Sequence, residues 1–230
     1  MLQILIDASY DTLRIVFIAS FFSILIGGFL GMCLEVLKNE HISHKKYLWL
    51  YKLLVYIINF LYNIPIFLIL IIMLPLIHNS LNNSLSIELS AVIALTFVGT
   101  FNFAKDVFKT FNSLPKELSD TATFLGANST QILIKFLLPE AMQELINDVT
   151  KLIIKLFKLS IISSALGVSG LGKLALEKSG YHDLETIELS YVLWTILLST
   201  SFIYIIKLIN NYIINVKFNF VHIKTSEYEK

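Results

Sequence analysis

The chain has 230 residues, of which 56% are hydrophobic, and a formal net charge of +1. The mean hydropathy of +0.73 excludes a water-soluble domain of this size and predicts an all-α membrane protein. The near-neutral charge gives no reason to expect a nucleic-acid partner, and the single cysteine, Cys33, excludes a disulfide within the chain.

Five segments are predicted to cross the membrane as helices, at about residues 15–37, 53–77, 85–104, 145–168 and 187–210. The first fourteen residues carry Asp7, Asp11 and Arg14 instead of a basic stretch, and no small-residue cleavage site follows. The first segment is therefore predicted to be a retained helix and not a signal peptide. We interpret residues 1–217 as one transmembrane domain and residues 218–230 as a short cytoplasmic tail.

Glycines and prolines in the first two spans predict local irregularities. Gly27 and Gly31 have the Gly-x-x-x-Gly spacing that lets two helices approach closely. Pro65 and Pro75 remove backbone hydrogen-bond donors from the second span, which predicts kinks or irregular turns there.

The distribution of lysine residues predicts the orientation in the membrane. Segments 38–52 and 105–140 hold four lysines each, as does the chain from Lys207 onward, whereas 78–86 holds none and 167–186 holds two. The positive-inside rule then places the N-terminus outside and the C-terminus in the cytoplasm, in agreement with an odd number of spans. The loop 105–140 is therefore predicted to be cytoplasmic.

This loop is predicted to contain a short amphipathic helix. Pro115 suits the first turn of the helix, with Ser113 or Leu114 as its cap. Apolar residues recur at helical spacing and are predicted to form one face, made of Leu114, Leu118, Ala122 and Leu125. Gly126 is predicted to end the helix in the left-handed conformation.

A second helix is predicted after the glycine turn. Asn128 and Gln131 have the spacing of a capping box, and the apolar residues that follow lead to Pro139. A helix, a sharp turn and a returning helix would form a rigid element parallel to the membrane surface, which can transmit force. The alternative interpretation is an ordinary surface loop between two spans.

Residues 114–127, followed by Pro139, resemble the motif by which bacterial ABC importer permeases dock onto their ATPase subunits. Over residues 10–210 the chain is similar to the membrane subunits of methionine ABC importers, a five-span family of type I importer permeases. Two further stretches carry the resemblance, residues 63–65 with 73–75 in the second span and residues 167–172 with Gly180 and Tyr181 after the fourth.

The resemblance implies a type I ABC importer permease core in the bacterial cytoplasmic (inner) membrane, importing methionine (D or L) or a related amino acid. The implied partners are a second permease in a homodimer, two ATP-binding ABC subunits, an extracytoplasmic substrate-binding lipoprotein and membrane lipid. ATP and Mg²⁺ would be bound by the separate ATPase. The chain itself would be a transport subunit without a cofactor or metal, and not an enzyme.

The same resemblance assigns ATPase coupling to eight residues of the loop: Pro115, Leu118, Asp120, Thr121, Ala122, Gly126, Ala127 and Pro139. Two positions depart from the family pattern. Asp120 stands where the family usually has Glu, which preserves a carboxylate, and Tyr62 stands where many relatives carry Arg.

Ionisable residues recur along one face of the fourth span, at Glu144, Asp148, Lys151, Lys155 and Lys158. One hypothesis makes them a basic stripe on a translocation pathway or dimer interface, where Lys155 and Lys158 meet a substrate carboxylate. In the other, the helix enters the lipid only near Leu152. The residues before it then form ion pairs in the cytoplasm, and the two lysines extend toward the interface.

Two other sets of residues have both a functional and a structural interpretation. Asn63 and Pro65 lie either near the gate of the pathway or at a plain kink. Ser160 and Ser163 either line the pathway or form hydrogen bonds to neighbouring helices.

Other functions are left open by the sequence. Within the same superfamily, the substrate would be another amino acid, a betaine-like osmolyte or a small peptide. Two alternatives of a different class are a structural membrane anchor, which needs no coupling motif, and an intramembrane enzyme. Such an enzyme needs inward-facing Ser and His or paired Asp at matched depth, and the sequence offers no such arrangement.

Overall fold

The computed structural model describes residues 2–38, 48–80, 87–179 and 189–228, and all regular structure in these segments is helical. The helices are α1 (Leu2–Lys38), α2 (Leu48–Asn63), α3 (Ile66–Ser80), α4 (Ile87–Ser113), α5 (Lys116–Phe124), α6 (Ser129–Gln131), α7 (Leu138–Ala165), α8 (Leu171–Lys178) and α9 (Leu189–Tyr228). A π-helical segment, Ile132–Leu137, joins α6 to α7. The predicted all-α class is confirmed over these segments.

Helix α4 lies at the centre of the bundle, where it contacts α1, α2, α3 and α7. Its contact with α1 is close because Gly27 and Gly31 of α1 have no side chain at the points where they meet α4. A Cβ atom on Gly27 would lie 2.6 Å from the Thr100 carbonyl oxygen, and one on Gly31 would lie 2.7 Å from the Val107 Cβ. The predicted packing role of this glycine pair is confirmed.

Apolar side chains lie both inside the bundle and on its outer surface. Leu156 and Phe157 of α7 are fully buried, whereas Phe17 of α1 and Tyr204 of α9 are 73% and 63% exposed. Extensive apolar exposure is unfavourable in water, but the hydrocarbon core of a bilayer covers such faces without penalty. The distribution is that of a membrane protein.

Three helices within the described residues are long and apolar enough to cross a membrane: α1, α4 and the part of α9 from Ser190 to Val216. A fourth span exists if Trp49–Asn63 and Phe67–Ile77, which are bent by 96°, cross the membrane together. Helix α7 is long enough as well, but its acidic and basic residues interrupt its apolar surface. Apolar length therefore accounts for three or four of the five predicted spans.

Several helices extend beyond the predicted spans. Helix α1 begins at Leu2, α4 continues to Ser113 inside the predicted loop, and α9 continues to Tyr228 through the predicted tail. Charged residues end an apolar window, but Lys and Glu favour helix nearly as well as Leu, so helices continue past the apolar windows. The predicted starts at residues 85 and 187 lie outside the described residues.

The kink predicted at Pro65 is a complete break, so the predicted span 53–77 is not one helix. Helix α2 ends at Asn63 and α3 begins at Ile66. Proline disfavours helical backbone at the preceding residue, here Ile64, and has no N–H of its own. The Pro65 carbonyl then accepts the Leu68 N–H at 2.9 Å, which starts α3. The second irregularity was predicted at Pro75, but the helix is not broken there, because α3 continues through this residue.

Candidate functional site

The amphipathic helix predicted in the loop between α4 and α7 is α5. Pro115 occupies its N-cap position with φ −58° and ψ 133°, and no side chain caps this end. The Ser113 hydroxyl donates to the Thr110 carbonyl at 2.7 Å instead. The prediction that Pro115 lies in the first turn, with Ser113 or Leu114 as the cap, was therefore wrong. Because α4 continues to Ser113 and Pro115 forces Leu114 out of helical backbone, no separate cap exists.

Gly126 ends α5, as predicted. Its φ is +76°, its N–H donates to the Thr123 carbonyl at 2.9 Å, and the Ala127 N–H donates to the Ala122 carbonyl at 3.1 Å. No described atom lies within 4 Å of the place where a Cβ would be. The position requires glycine because of its backbone conformation and not for lack of space.

The apolar face of α5 is shorter than predicted. Ala122 is buried, and Leu114 and Leu118 pack half-buried against the core of the bundle. Leu125, predicted for the same face, is 73% exposed, and the adjacent Phe124 is 91% exposed. Leu125 is the C-cap residue of α5, so the helical periodicity that placed it on the buried face ends before it.

Most residues predicted for coupling lie at the surface of this loop. Leu118 and Ala127 are half-buried and Ala122 is buried, while the remaining five are exposed: Pro115, Asp120, Thr121, Gly126 and Pro139. We call the exposed part of α5 and its turn, from Asp120 to Gly126, the α5 surface. It combines a carboxylate with two large apolar side chains, a composition suited to contact with another protein.

The return from the turn to α7 passes through a widened helix. The Gln131 side-chain oxygen accepts the Asn128 N–H at 2.9 Å, which forms one half of the predicted capping box. Further on, the Leu138 N–H donates to the Leu133 carbonyl, five residues back. Proline has no N–H and its ring crowds the carbonyl four residues earlier, so a π-helical turn immediately before Pro139 relieves that conflict.

Three of the charged residues on α7 pair with each other. Lys151 Nζ lies 2.8 Å from Asp148 Oδ1 and 3.1 Å from Glu144 Oε1. The hydrogen bond from Lys151 lowers the pKa of Glu144. Thr110 on α4 donates its hydroxyl to Asp148 Oδ2 at 2.6 Å. The ion pairs of the second hypothesis are present, although Asp148 is only 4% exposed. Lys158 is exposed.

Lys155 lies apart from these pairs, in a polar cluster between α2, α4 and α7. Its Nζ donates to Asn102 Oδ1 on α4 and lies 5.4 Å from the centre of the Tyr62 ring on α2. Lys105 Nζ on α4 lies 3.7 Å from the centre of the same ring. Asp106 on α4 interacts electrostatically with Lys155. We call these five residues the lysine–tyrosine cluster.

The other predicted pathway residues lie in two different environments. Asn63 and Pro65 are exposed at the break between α2 and α3, next to Tyr62. Ser160 and Ser163 are buried in α7, and the Ser163 hydroxyl donates to the Ser160 carbonyl at 2.8 Å. Asn63 and Pro65 therefore follow Tyr62 of the lysine–tyrosine cluster closely along the chain, and Ser163 bonds within its own helix.

Some residues of these sites are not identified by sequence reasoning. The exposure of Phe124 could have been inferred from the local sequence, because an aromatic residue just before the glycine turn of a polar loop has few apolar neighbours to pack against. Asn102 and Lys105 have no such local signal, since their meeting with Lys155 depends on how α4 packs against α7. Tyr62 is visible in the sequence only as a departure from the family pattern.

The glycine-rich segment 167–172 is tightly turned and attached to α1 and α4. Gly167 and Gly170 have φ of +103° and +138°, the Leu171 N–H donates to Thr12 Oγ1 at 2.9 Å, and Ser169 donates to Glu88 at 2.8 Å. This segment fixes one end of the bundle. Gly180 and Tyr181, which belong to the same predicted stretch, lie outside the described residues.

Comparison with protein families gives a match over residues 23–215 to the family described as "Binding-protein-dependent transport system inner membrane component". The chain is 28% identical over 193 residues to the probable D-methionine transport system permease protein MetI of Pasteurella multocida, covering 81% of this chain and 82% of that protein. It is 29% identical over 157 residues to D-methionine transport system permease protein MetI of Escherichia coli, covering 68% and 70%.

Solved structures give the same result for the fold. An inward-facing conformation of the MetNI methionine ABC transporter superposes with a TM-score of 0.83 at 26% identity, covering 94% of this chain and 97% of that chain. A crystal structure of an amino acid ABC transporter with histidines superposes with a TM-score of 0.70 at 17% identity, covering 91% and 94%. At that identity, the second likeness concerns the fold alone.

Proposed function

The chain belongs to the family of binding-protein-dependent transport system inner membrane components, and from this we propose that it imports methionine or a related amino acid. As a member of this family it is the permease subunit of an ABC importer, a multi-pass protein of the inner membrane, and not itself an enzyme. The energy for uptake would come from ATP and Mg²⁺ bound by a separate ATPase.

The observation that carries this proposal is the α5 surface. Helix α5 connects α4 to α7, two long helices of the bundle, and rests on the core through the buried Ala122. Phe124 and Leu125 are left exposed at its end. An ATPase domain seated on this surface would move α5 as a rigid element when it closes around ATP. The movement would pass to α4 and α7 and shift the pore between inward- and outward-facing states.

The proposed assembly is a homodimer of permeases with two ATP-binding ABC subunits and an extracytoplasmic substrate-binding lipoprotein. Each permease would cross the membrane five times, with the N-terminus outside and the C-terminus in the cytoplasm. In this topology α2 and α3 form one broken span, and α7 forms the fourth from about residue 145 onward. Asp148 and Lys151 would be tolerated because they are paired, and Lys155 because it is turned toward the bundle. The exposed Lys158 would be tolerated because it would extend toward the interface.

Methionine is the proposed substrate because the relatives from Pasteurella multocida and Escherichia coli are named for D-methionine transport. A different amino acid, a betaine-like osmolyte or a small peptide would give the same coupling loop. A membrane anchor or an intramembrane enzyme would not require the α5 surface, because neither function depends on contact with an ATPase.

ATP-dependent uptake tests the proposal. The permease, its ATPase and its binding lipoprotein are reconstituted into liposomes, with radiolabelled methionine outside and ATP either inside or withheld. We expect accumulation only with ATP, and competition by excess unlabelled methionine. Hydrolysis of ATP without methionine uptake would support the assignment as an importer and reject methionine as its substrate.

Two substitutions at Gly126 test the coupling loop separately. Gly126→Val is expected to lose uptake, because a β-branched residue rarely adopts a φ of +76°. Gly126→Asn is the matched control, since Asn tolerates this conformation and should retain uptake. Normal assembly and uptake in Gly126→Val would contradict the role assigned to the turn.

A further inference from the structure

We propose that the lysine–tyrosine cluster is a subsite that binds the carboxylate of the transported molecule, between α2, α4 and α7. The inference rests on the proposed function, because it takes the cargo to be an amino acid. To the proposed function, the inference adds the residues that bind the transported molecule and the chemical group that they recognise.

The first argument is an excess of positive charge. Lys105 and Lys155 both place their ammonium groups within 5.4 Å of the centre of the Tyr62 ring. Among the ion pairs of the described residues, none includes either lysine. Asp106 interacts with Lys155 from beyond ion-pair distance, so neither ammonium group has a carboxylate in direct contact within the described residues. Partly buried charges of like sign are unfavourable unless an anion joins them.

Another lysine on α7 has its positive charge compensated by carboxylates of the same helix. Lys151, one turn before Lys155 on α7, contacts the carboxylates of both Glu144 and Asp148. The groups in close contact with the Lys155 ammonium are instead the neutral amide of Asn102 and the ring of Tyr62. The chain thus neutralises Lys151 with its own acidic residues and leaves the charge of Lys155 and Lys105 available to an external anion.

The position of the cluster favours access for a solute. Tyr62 lies in the last turn of α2, directly before the break at Asn63 and Pro65, both of which are exposed. Non-helical backbone at membrane depth is tolerated where it lines a water-filled cavity. The end of α2 also attracts ammonium groups, but a helix terminus carries only about half a negative charge, which is less than two lysines require.

An amino acid matches this arrangement at both of its charged groups. Its carboxylate would lie between Lys105 and Lys155 and accept hydrogen bonds from both ammonium groups. Its own ammonium group would be attracted by Asp106. When the cargo leaves, the Tyr62 ring continues to stabilise the two lysines through cation–π contacts.

Transport by charge-removing variants tests the subsite in the complete importer. Lys105→Gln and Lys155→Gln are each expected to lower the methionine imported per ATP hydrolysed about tenfold, the effect of losing one charge-assisted hydrogen bond. Lys155→Arg, which keeps the charge, should recover most of the uptake. Lys207→Gln, on the exposed side of α9, is the matched control and should behave as wild type. Full uptake in both cluster variants, with normal assembly, would overturn the proposal.

A fluorescence measurement tests the subsite independently of transport and of the identity of the cargo. Tyr62 is replaced by Trp, which retains the cation–π contacts, in an importer in which the exposed Trp49 and Trp194 are replaced by Phe. Iodide, an anionic quencher, should quench this Trp more strongly than neutral acrylamide, and acetate should compete with iodide. Lys105→Gln or Lys155→Gln should remove the excess iodide quenching and leave acrylamide quenching unchanged.

The two experiments separate the possible failures. Anion-selective quenching without methionine uptake would support the subsite and reject methionine as the cargo. Methionine uptake together with equal quenching by iodide and acrylamide would support the importer and overturn the subsite.

Discussion

The Thr110 hydroxyl on α4 donates a 2.6 Å hydrogen bond to the carboxylate of Asp148 on α7, and both side chains are buried. Lys151 contacts the other oxygen of the same carboxylate at 2.8 Å. The bond joins the two helices from which the α5 loop projects. It therefore ties the end of α4 to α7, and we expect a movement of α5 to reach both helices together.

Thr110→Val tests how much this bond stabilises the bundle. Valine has nearly the shape of threonine but leaves one oxygen of a buried carboxylate without its donor, so we expect a loss of about 1–3 kcal/mol in the free energy of unfolding. Denaturant unfolding of the purified protein in detergent measures it. Thr200→Val is the control, because within the described part of the chain the exposed Thr200 bonds to carbonyls of its own helix, and its loss should change stability by less than about 0.5 kcal/mol.

Gly31→Ala tests the close packing of α1 on α4. The new methyl group would lie 2.7 Å from Val107 Cβ and 2.9 Å from the Ala104 carbonyl oxygen, and relieving this clash should cost about 1–3 kcal/mol. Gly28→Ala is the matched control, since its methyl group would meet Phe103 at an ordinary 3.5 Å. The higher helix propensity of alanine should leave that variant at least as stable as wild type. Equal melting temperatures for the two variants would contradict the assigned contact.

Features governed by neighbouring residues were predictable from the sequence. The left-handed turn at Gly126 and the close packing at Gly27 and Gly31 follow from rules that involve only a few consecutive residues or one helix face. The break at Pro65 was predicted only as a kink. The apolar residues on both sides continue the hydropathy of one span and therefore conceal the change of direction.

Features that depend on the packing of distant segments were not predictable. The pairing of Lys155 with Asn102 joins residues on different helices, and only the depth at which α7 packs against α4 decides it. The exposure of Leu125 depends on where α5 ends, and helical periodicity cannot indicate an end. The division of the α7 charges into ion pairs and the lysine–tyrosine cluster likewise required the surrounding helices.

The ion pair of Glu144 predicts a small dependence of stability on pH. Because the hydrogen bond from Lys151 lowers the pKa of Glu144 in the folded protein, this pair stabilises the fold above the unfolded pKa of about 4.3. The stabilisation is lost as the pH falls through the lower folded value. The Glu144 side chain is 52% exposed, so the contribution is at most about 0.5 kcal/mol.

Melting temperatures of wild type and Glu144→Gln measure this contribution. Wild type should be slightly more stable at about pH 6, and the difference should shrink as the pH is lowered toward about 3. Glu140→Gln, an exposed position on the same helix and outside the ion pairs of the described residues, should show no such convergence. A difference that grows on acidification would contradict the assigned sign.

The exposed end of α5 predicts where the ATPase is held. Phe124 and Leu125 contribute almost nothing to the core of the isolated permease, so Phe124→Ala and Leu125→Ala should leave its melting temperature unchanged. Aromatic and large apolar side chains at the centre of an interface often contribute about 2 kcal/mol or more to binding, which corresponds to at least a roughly thirtyfold weaker association with the ATPase. Titration of the detergent-solubilised permease with labelled ATPase measures this affinity. Phe17→Ala on α1, where the side chain is as exposed as that of Leu125, is the control. An equal loss of affinity in this variant would contradict binding of the ATPase at the α5 surface.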